Sequence, residues 1–225
     1  MESLSGTQVL VTGATGFVGA RLSELLSGQE KAIVTGTGRN LDRVSYLKDH
    51  GVTLTAAELT DEESLKKLVE GKEVVFHAAA AIMADAETAQ KVNVDATELL
   101  VRLAGEAGVK RFVHVSTVGV YDMKNLKMVD ETAPLALNHS SAYPRTKAQA
   151  EKRAKQTAAA YAMELSIVRP SMIYGPGHGF WSETMFKNVL DGNPVFLGDG
   201  SGNFIPVYID DVAAAIILCA KHPGA

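Results

Sequence analysis

A chain of 225 residues can bury one good core but hardly two full domains, and its balance of 46 % apolar and 21 % charged residues is that of a soluble globular protein. A formal charge of −4 offers no basic surface for nucleic acid or anionic membranes, and the single cysteine, Cys219, excludes an internal disulfide framework and fits a reducing compartment. The opening MESLSGTQ has neither the basic nor the apolar region of a secretory signal, and the longest apolar run, 212–220, is far short of the ~20 residues that span a bilayer, so a soluble, cytoplasmic, single-core protein is expected.

Short β-branched runs then alternate with helical patterns. QVLVT (8–12) reads as a strand and 17–27 as a helix; AIVTGT (32–37) is a second strand, with a helical stretch through Asp49. VTLTAA (52–57) and EESLKKLVEG (62–71) repeat the pair, as do VVFHAA (74–79) and a long helix from about Thr88 to Ala107. RFVHVS (111–116) is a fifth strand, 143–163 a long Ala/Lys-rich helix, and LSIVRP (165–170) a sixth strand. This alternation, with strands apolar enough to be covered on both faces, predicts an α/β fold: a doubly wound parallel sheet in the dinucleotide-binding order. Beyond residue 170 Pro and Gly cluster around the helical pieces SETMFKNVL and DDVAAAIILCAKH. The expected division is a dinucleotide-binding core over 1–170 and a partial substrate region with a returning strand and helix over 171–225.

The first motif with chemical content is TGATGFVG, where Gly13, Gly16 and Gly19 fall between the first strand and its helix. Gly13 permits a tight turn, Gly16 the close approach of a pyrophosphate and Gly19 close helix–strand packing, while the helix N-terminus offers N–H groups to phosphate oxygens. An NAD site wants an acid at the end of the second strand; here TGTGRNLDR places Arg39 there and Arg43 one turn later. Guanidinium groups bind a 2′-phosphate bidentately, so NADP(H) is expected, with NAD as the alternative cofactor; solvated surface arginines are the bland alternative.

Tyr143 and Lys147 in AYPRTK lie four apart on one helix face, with Cβ atoms about 5–6 Å apart. An unperturbed phenol is only ~0.1 % ionised at neutral pH. A neighbouring ammonium favours the phenolate and would bring Tyr143 toward acid–base use. Ser116 and Thr117 end the fifth strand, at the sheet edge where such folds place ligands. In order, TGATGFVG, FHAAA, NVDAT, HVSTVGVY, YPRTK, RPSMIYGPG and VYIDDVA give the chain, over essentially its whole length, a specific resemblance to the extended short-chain dehydrogenase/reductase (NAD-dependent epimerase/dehydratase) family. The resemblance implies Tyr143 as general acid/base, Lys147 holding the nicotinamide ribose, and Thr117 hydrogen-bonding the substrate. It implies Thr15, Phe17, Val18 and Ser116 beside the cofactor, Glu58 and Leu59 at the adenine, Ala78, Ala79 and Ala80 along the ribose, and Pro170, Met172 and Ile173 at the nicotinamide. Asn93 matches a position that supports the catalytic loops, though a helix-surface Asn is as consistent with the residues.

Val118 and Gly119 stand where the sugar-nucleotide 4,6-dehydratases carry Asp-Glu, which argues against elimination. Phe204 stands where sugar-nucleotide epimerases carry an arginine, and FIPVYIDDVA resembles the 3β-hydroxysteroid dehydrogenase and dihydroflavonol-reductase branch. Phe180, Trp181, Met185 and Phe186 would then wall an apolar pocket, or simply pack in the core. The expected activity is NADP(H)-dependent interconversion of a ketone and a secondary alcohol in a small-molecule substrate. The rivals are a sugar-nucleotide epimerase and a non-catalytic dinucleotide sensor, the latter disfavoured by Thr117, Tyr143 and Lys147. No histidine spacing suggests a metal, and His77 and His114 read as hydrogen-bonded core residues. Asp210 and Asp211 are expected to cap the last helix and meet its dipole. By resemblance a homodimer is expected, as is a longer C-terminal part than this chain contains.

Overall fold

A computed structural model of the chain describes residues 3–122, 129–177, 182–193, 199 and 205–222. Strands β1 (Gln8–Thr12), β2 (Ile33–Gly38), β3 (Thr53–Ala56), β4 (Val74–His77), β5 (Arg111–Val115) and β6 (Glu164–Val168) form one parallel sheet. Its order is β3-β2-β1-β4-β5-β6, the doubly wound arrangement that the alternating pattern predicts. β4 and β5 are buried throughout, because helices cover both faces. On one face α1 (Phe17–Gly28) and α7 (Ile209–Lys221) pack over Val9, Val11, Phe76 and Val113. On the other, α2 (Glu62–Val69), α4 (Ala96–Glu106) and α5 (Ala142–Ala158) cover Leu10, Val75 and Phe112. Successive side chains of β1, β4 and β5 thus feed two separate cores.

Several elements depart from the expected spans for identifiable reasons. The helix expected over Thr88–Ala107 is three pieces: α3 (Ala86–Ala89), a π-helical turn (Gln90–Asp95) and α4. The wide turn brings the side chain of Asn93 to bear on two other segments, a common use of π-bulges. The helix expected to run to Met163 stops at Ala158, and turns at 159–162 seat the Tyr161 ring on Gly105 of α4, where a Cβ would stand 2.3 Å from the ring. The stretch before Asp49 is 3-10 helix (Asp42–Lys48) with a kink at Val44.

Past residue 170, β7 (Met172–Tyr174) and β8 (Pro206–Tyr208) form a two-stranded parallel sheet, and α6 (Thr184–Leu190) buries none of its residues. Met185 and Phe186 on α6 are exposed, which removes the core-packing alternative for them. Phe180, Trp181 and Phe204 lie outside the described residues. α7 is fastened at both ends. The Arg21 guanidinium donates to both carboxylate oxygens of Asp210, at 2.7 and 3.0 Å. At the other end the buried Arg111 donates to the carbonyls of Cys219, Ala220 and His222 and pairs with Glu164. Asp210 and Asp211 occupy the first turn of α7, where they meet its dipole as expected, but the N-cap is Tyr208 without a side-chain cap, contrary to the capping expected of them. Asp210 is committed to Arg21 instead.

Candidate active site

The C-terminal edge of the sheet gathers the residues that the sequence singles out. Thr12 ends β1, and the chain turns through Gly13 at φ +72°, a conformation that disfavours side chains. A Cβ on Gly13 would stand 2.7 Å from the backbone of Ala79, so this turn and the loop after β4 lie backbone to backbone. On Gly19 a Cβ would stand 2.1 Å from the Gly13 carbonyl, which is why α1 can start directly over the turn. Gly16 is the N-cap of α1 and has no side chain to cover the helix start. Beyond the end of β2, Thr15, Arg39, Asn40 and Arg43 line a depression of about 290 Å³. Glu58 is exposed just past β3, and Leu59 leans on the core.

On the other side of the switch point, Ala78–Ala80 follow β4 and Ser116 follows β5. The Ser116 hydroxyl is buried and has no hydrogen-bond partner. The Thr117 hydroxyl accepts from Gly119 N–H at 3.2 Å, setting a short 3-10 turn (Val118–Val120). That turn meets the first turn of α5: a Cβ on Gly119 would stand 3.9 Å from Pro144 Cγ. Val118 N–H donates to Pro170 at 3.0 Å, which leads β7 with Met172 and Ile173 past the same edge. Tyr143 and Lys147 share a face of α5, as their spacing requires.

Asn93 is not a surface residue. Its amide donates to the Ala81 carbonyl and to Thr146 Oγ1, each at 3.0 Å, and its oxygen accepts from Ala81 N–H at 2.8 Å. With these groups committed to protein, Asn93 ties the loop after β4 to α5.

The electrostatics differ from the expected tuning of the phenol. Burial pushes Tyr143 up, and burial brings the Lys147 ammonium down to about 7, offset in part by Glu151. The Lys147 amine turns inward, 2.7 Å from the Val115 carbonyl and 3.1 Å from His114 Nε2. Desolvation thus outweighs the helix-face proximity read from the spacing.

Three features escape a motif reading. Glu151, one turn past Lys147 and fully buried, forms a bidentate pair with Arg169, which also donates to the Tyr121 hydroxyl at 2.6 Å. Arg111 and Arg21 are the others, whereas His114 is the hydrogen-bonded core residue expected of it. Glu151 was legible as the next member of the stripe 143, 147, 151; the rest depend on strand pairing and helix docking.

His77 lies between Thr12 Oγ1 (2.7 Å) and Thr97 Oγ1 (2.9 Å), and burial, helped by the Lys147 charge, takes it down to about 3. The unfolded chain therefore binds a proton between pH 6.5 and 3 that the folded chain refuses, so stability is lost as pH falls through that window. His77 alone contributes roughly 1.4 kcal/mol per pH unit below 6.5, and His114, lowered for the same reason, adds in the same direction. Urea unfolding at pH 7 and pH 5 should show this drop, since few carboxylates titrate there; equal stability at both would mean that the imidazoles reach water.

Residues 9–225 match the sequence model of the NAD dependent epimerase/dehydratase family. The chain belongs to this family. Among its family relatives are the 3-beta-hydroxysteroid dehydrogenase of Mycolicibacterium neoaurum, 33 % identical over 96 % of this chain and 62 % of that protein, and the cinnamoyl-CoA reductase 1 of Petunia hybrida, 31 % identical over 100 % and 72 %. The UDP-glucose 4-epimerase of Vibrio cholerae is 30 % identical over 96 % of this chain and 67 % of its own. A crystal structure of a short-chain dehydrogenase/reductase superfamily protein from Agrobacterium tumefaciens with bound NAD superposes with a TM-score of 0.79 at 25 % identity, covering 97 % of this chain and 75 % of that one. Against the hydroxysteroid dehydrogenase, the chain thus spans under two thirds of the relative's length. No described helix is long and apolar enough to cross a membrane.

Proposed function

We propose that this family member is an NADP(H)-dependent oxidoreductase interconverting a ketone and a secondary alcohol. The observation that carries the cofactor choice is the depression at the end of β2, where Thr15, Arg39, Asn40 and Arg43 stand together. Two guanidinium groups suit a 2′-phosphate, and a ribose diol alone would call for a carboxylate. The residues present fit a dinucleotide: a turn that a Cβ would block, an open helix start, and the orphaned Ser116 hydroxyl at the sheet edge. In this reading Gly13, Thr15, Gly16, Phe17, Val18 and Gly19 hold the pyrophosphate, with adenine beside Glu58 and Leu59. Ala78–Ala80 follow the ribose, and Pro170, Met172 and Ile173 flank the nicotinamide. Residues 1–170 hold the dinucleotide and 171–225 supply part of the substrate side, in a cytoplasmic, homodimeric enzyme.

When bound, the dinucleotide supplies or accepts the hydride. In reduction Tyr143 gives its proton to the oxygen of the carbonyl as that oxygen becomes an alcohol, and Thr117 hydrogen-bonds the same oxygen. Lys147 orients the ribose through its ammonium. Removal of the alcohol proton by Tyr143 starts the reverse direction.

Titration of the protein and of Arg39→Ala with NADPH and NADH tests the reading. NADPH should bind at least tenfold tighter (~1.4 kcal/mol), and the preference should vanish in the variant. Equal binding, or a preference for NADH, would overturn the role of Arg39. The epimerase reading is the second, favoured by the similarity to the Vibrio cholerae epimerase. It predicts oxidised cofactor retained through purification, since an epimerase returns the hydride to its own product.

A further inference from the structure

Lys147 is 1 % exposed, and its amine has two protein partners, the Val115 carbonyl and His114 Nε2. A carbonyl only accepts, so it takes one N–H of the ammonium and the imidazole takes a second through Nε2. One N–H is left for a ligand. With the ammonium donating to Nε2, His114 carries its proton on Nδ1, a buried atom without a hydrogen-bond partner. Its ring stacks on that of His77, with centroids 5.2 Å apart and planes at 26°. Cα pairing puts Thr12, His77 and His114 on one rung across β1, β4 and β5, so the row that ends at Lys147 begins beside the glycine turn.

We propose that His114 is a positioning residue for Lys147: it holds the amine in a buried hydrogen bond, the two titrate as one unit, and that unit sets the pH range in which the site takes a dinucleotide. The proposal rests on the role given to Lys147 above.

The surroundings define the unit. From α5 come Tyr143, one turn before Lys147, and Glu151, one turn after, its carboxylate held by Arg169 from the end of β6. β4 contributes His77, the segment after β5 contributes Tyr121, also held by Arg169, and α4 contributes the Thr97 hydroxyl. The pair thus holds one proton beyond its neutral forms, because two cations 3.1 Å apart in a buried site repel strongly. The imidazole stays neutral and favours the charged amine by accepting from it. Burial opposes that charge and brings the lysine to about 7. The nicotinamide ribose would therefore meet an ammonium below neutrality and an amine above it.

The test is a titration of ¹⁵Nζ-labelled lysines by NMR in the protein without dinucleotide, with Lys147→Met for assignment. One lysine should titrate near neutrality, and His114→Phe, which keeps a ring but removes the acceptor, should lower its midpoint by about one pH unit or more. His114→Gln reaches the position of Nε2 with an oxygen and should restore most of the shift; His114→Asn is too short to do so. The pH at which NADPH affinity weakens should move with the lysine midpoint. A lysine titrating in the ordinary range, or the same midpoint in the Gln and Asn variants, would overturn the proposal, including where His114→Phe does not fold. If the lysine behaves as stated but no dinucleotide binds, the pairing stands and the proposed cofactor site falls, so the two failures are distinguishable.

Discussion

Tyr143→Phe is expected to lower kcat by about 10²–10⁴-fold while leaving dinucleotide affinity and folding stability essentially unchanged. The phenyl ring fills the same half-buried space in the first turn of α5. Among the described residues the Tyr143 hydroxyl has no hydrogen-bond partner, so its removal strands no buried group. What is lost is the proton donor. Because burial holds the phenol above its ordinary range, the neutral form dominates at physiological pH, which suits donation in the reducing direction. Following NADPH absorbance with a small ketone, alongside a binding titration, separates the two effects. A variant that turns over at the wild-type rate would move proton transfer to another group.

The second large effect is on stability. Glu151→Ala should destabilise the fold by about 3–5 kcal/mol, because among the described residues it strands the Arg169 guanidinium beneath α5 with only Tyr121 as a partner. For a chain of this size that corresponds to roughly a 6–20 °C fall in Tm. Replacing both Glu151 and Arg169 with Met should recover most of the loss, since two buried charges are removed together and the volume is kept. The distinction matters for interpretation: the pair is costly to break but not a source of stability in itself. Urea unfolding of the single and double variants decides it, and a single-variant loss under about 1 kcal/mol would show that water reaches Arg169.

How much of this was readable in advance follows from the range of the interactions. The glycine turn, the strand order and the Tyr143–Lys147 stripe are local patterns of spacing, and local patterns survive in a single sequence. The strands β4 and β5 were equally legible, being apolar on both faces. Asn93 was ambiguous because its neighbours, Ala81 and Thr146, are 12 and 53 residues away, and only the π-turn aims it at both. The tuning of the phenol was misjudged because spacing fixes which face a lysine occupies but not where its amine goes. The inward turn toward Val115 and His114 depends on how α5 docks on β5. The early end of α5 was hidden for a similar reason, since Tyr161 needs Gly105 on another helix.

The clasp between Arg111 and the end of α7 bears on the order in which the molecule assembles. Arg111 opens the strand second from one edge of the sheet, yet three of its acceptors lie 108–111 residues later in the chain. Until those carbonyls arrive, the buried Arg111 guanidinium has Glu164 but not its three backbone acceptors, and the face of β1, β4 and β5 that α7 covers stays open. Closure of that large loop must precede the full settling of the central strands, so assembly waits on the most distant contact and not on the nearest ones. During synthesis the nearly complete sheet would spend its time as an open-faced intermediate, the kind of species that chaperones protect.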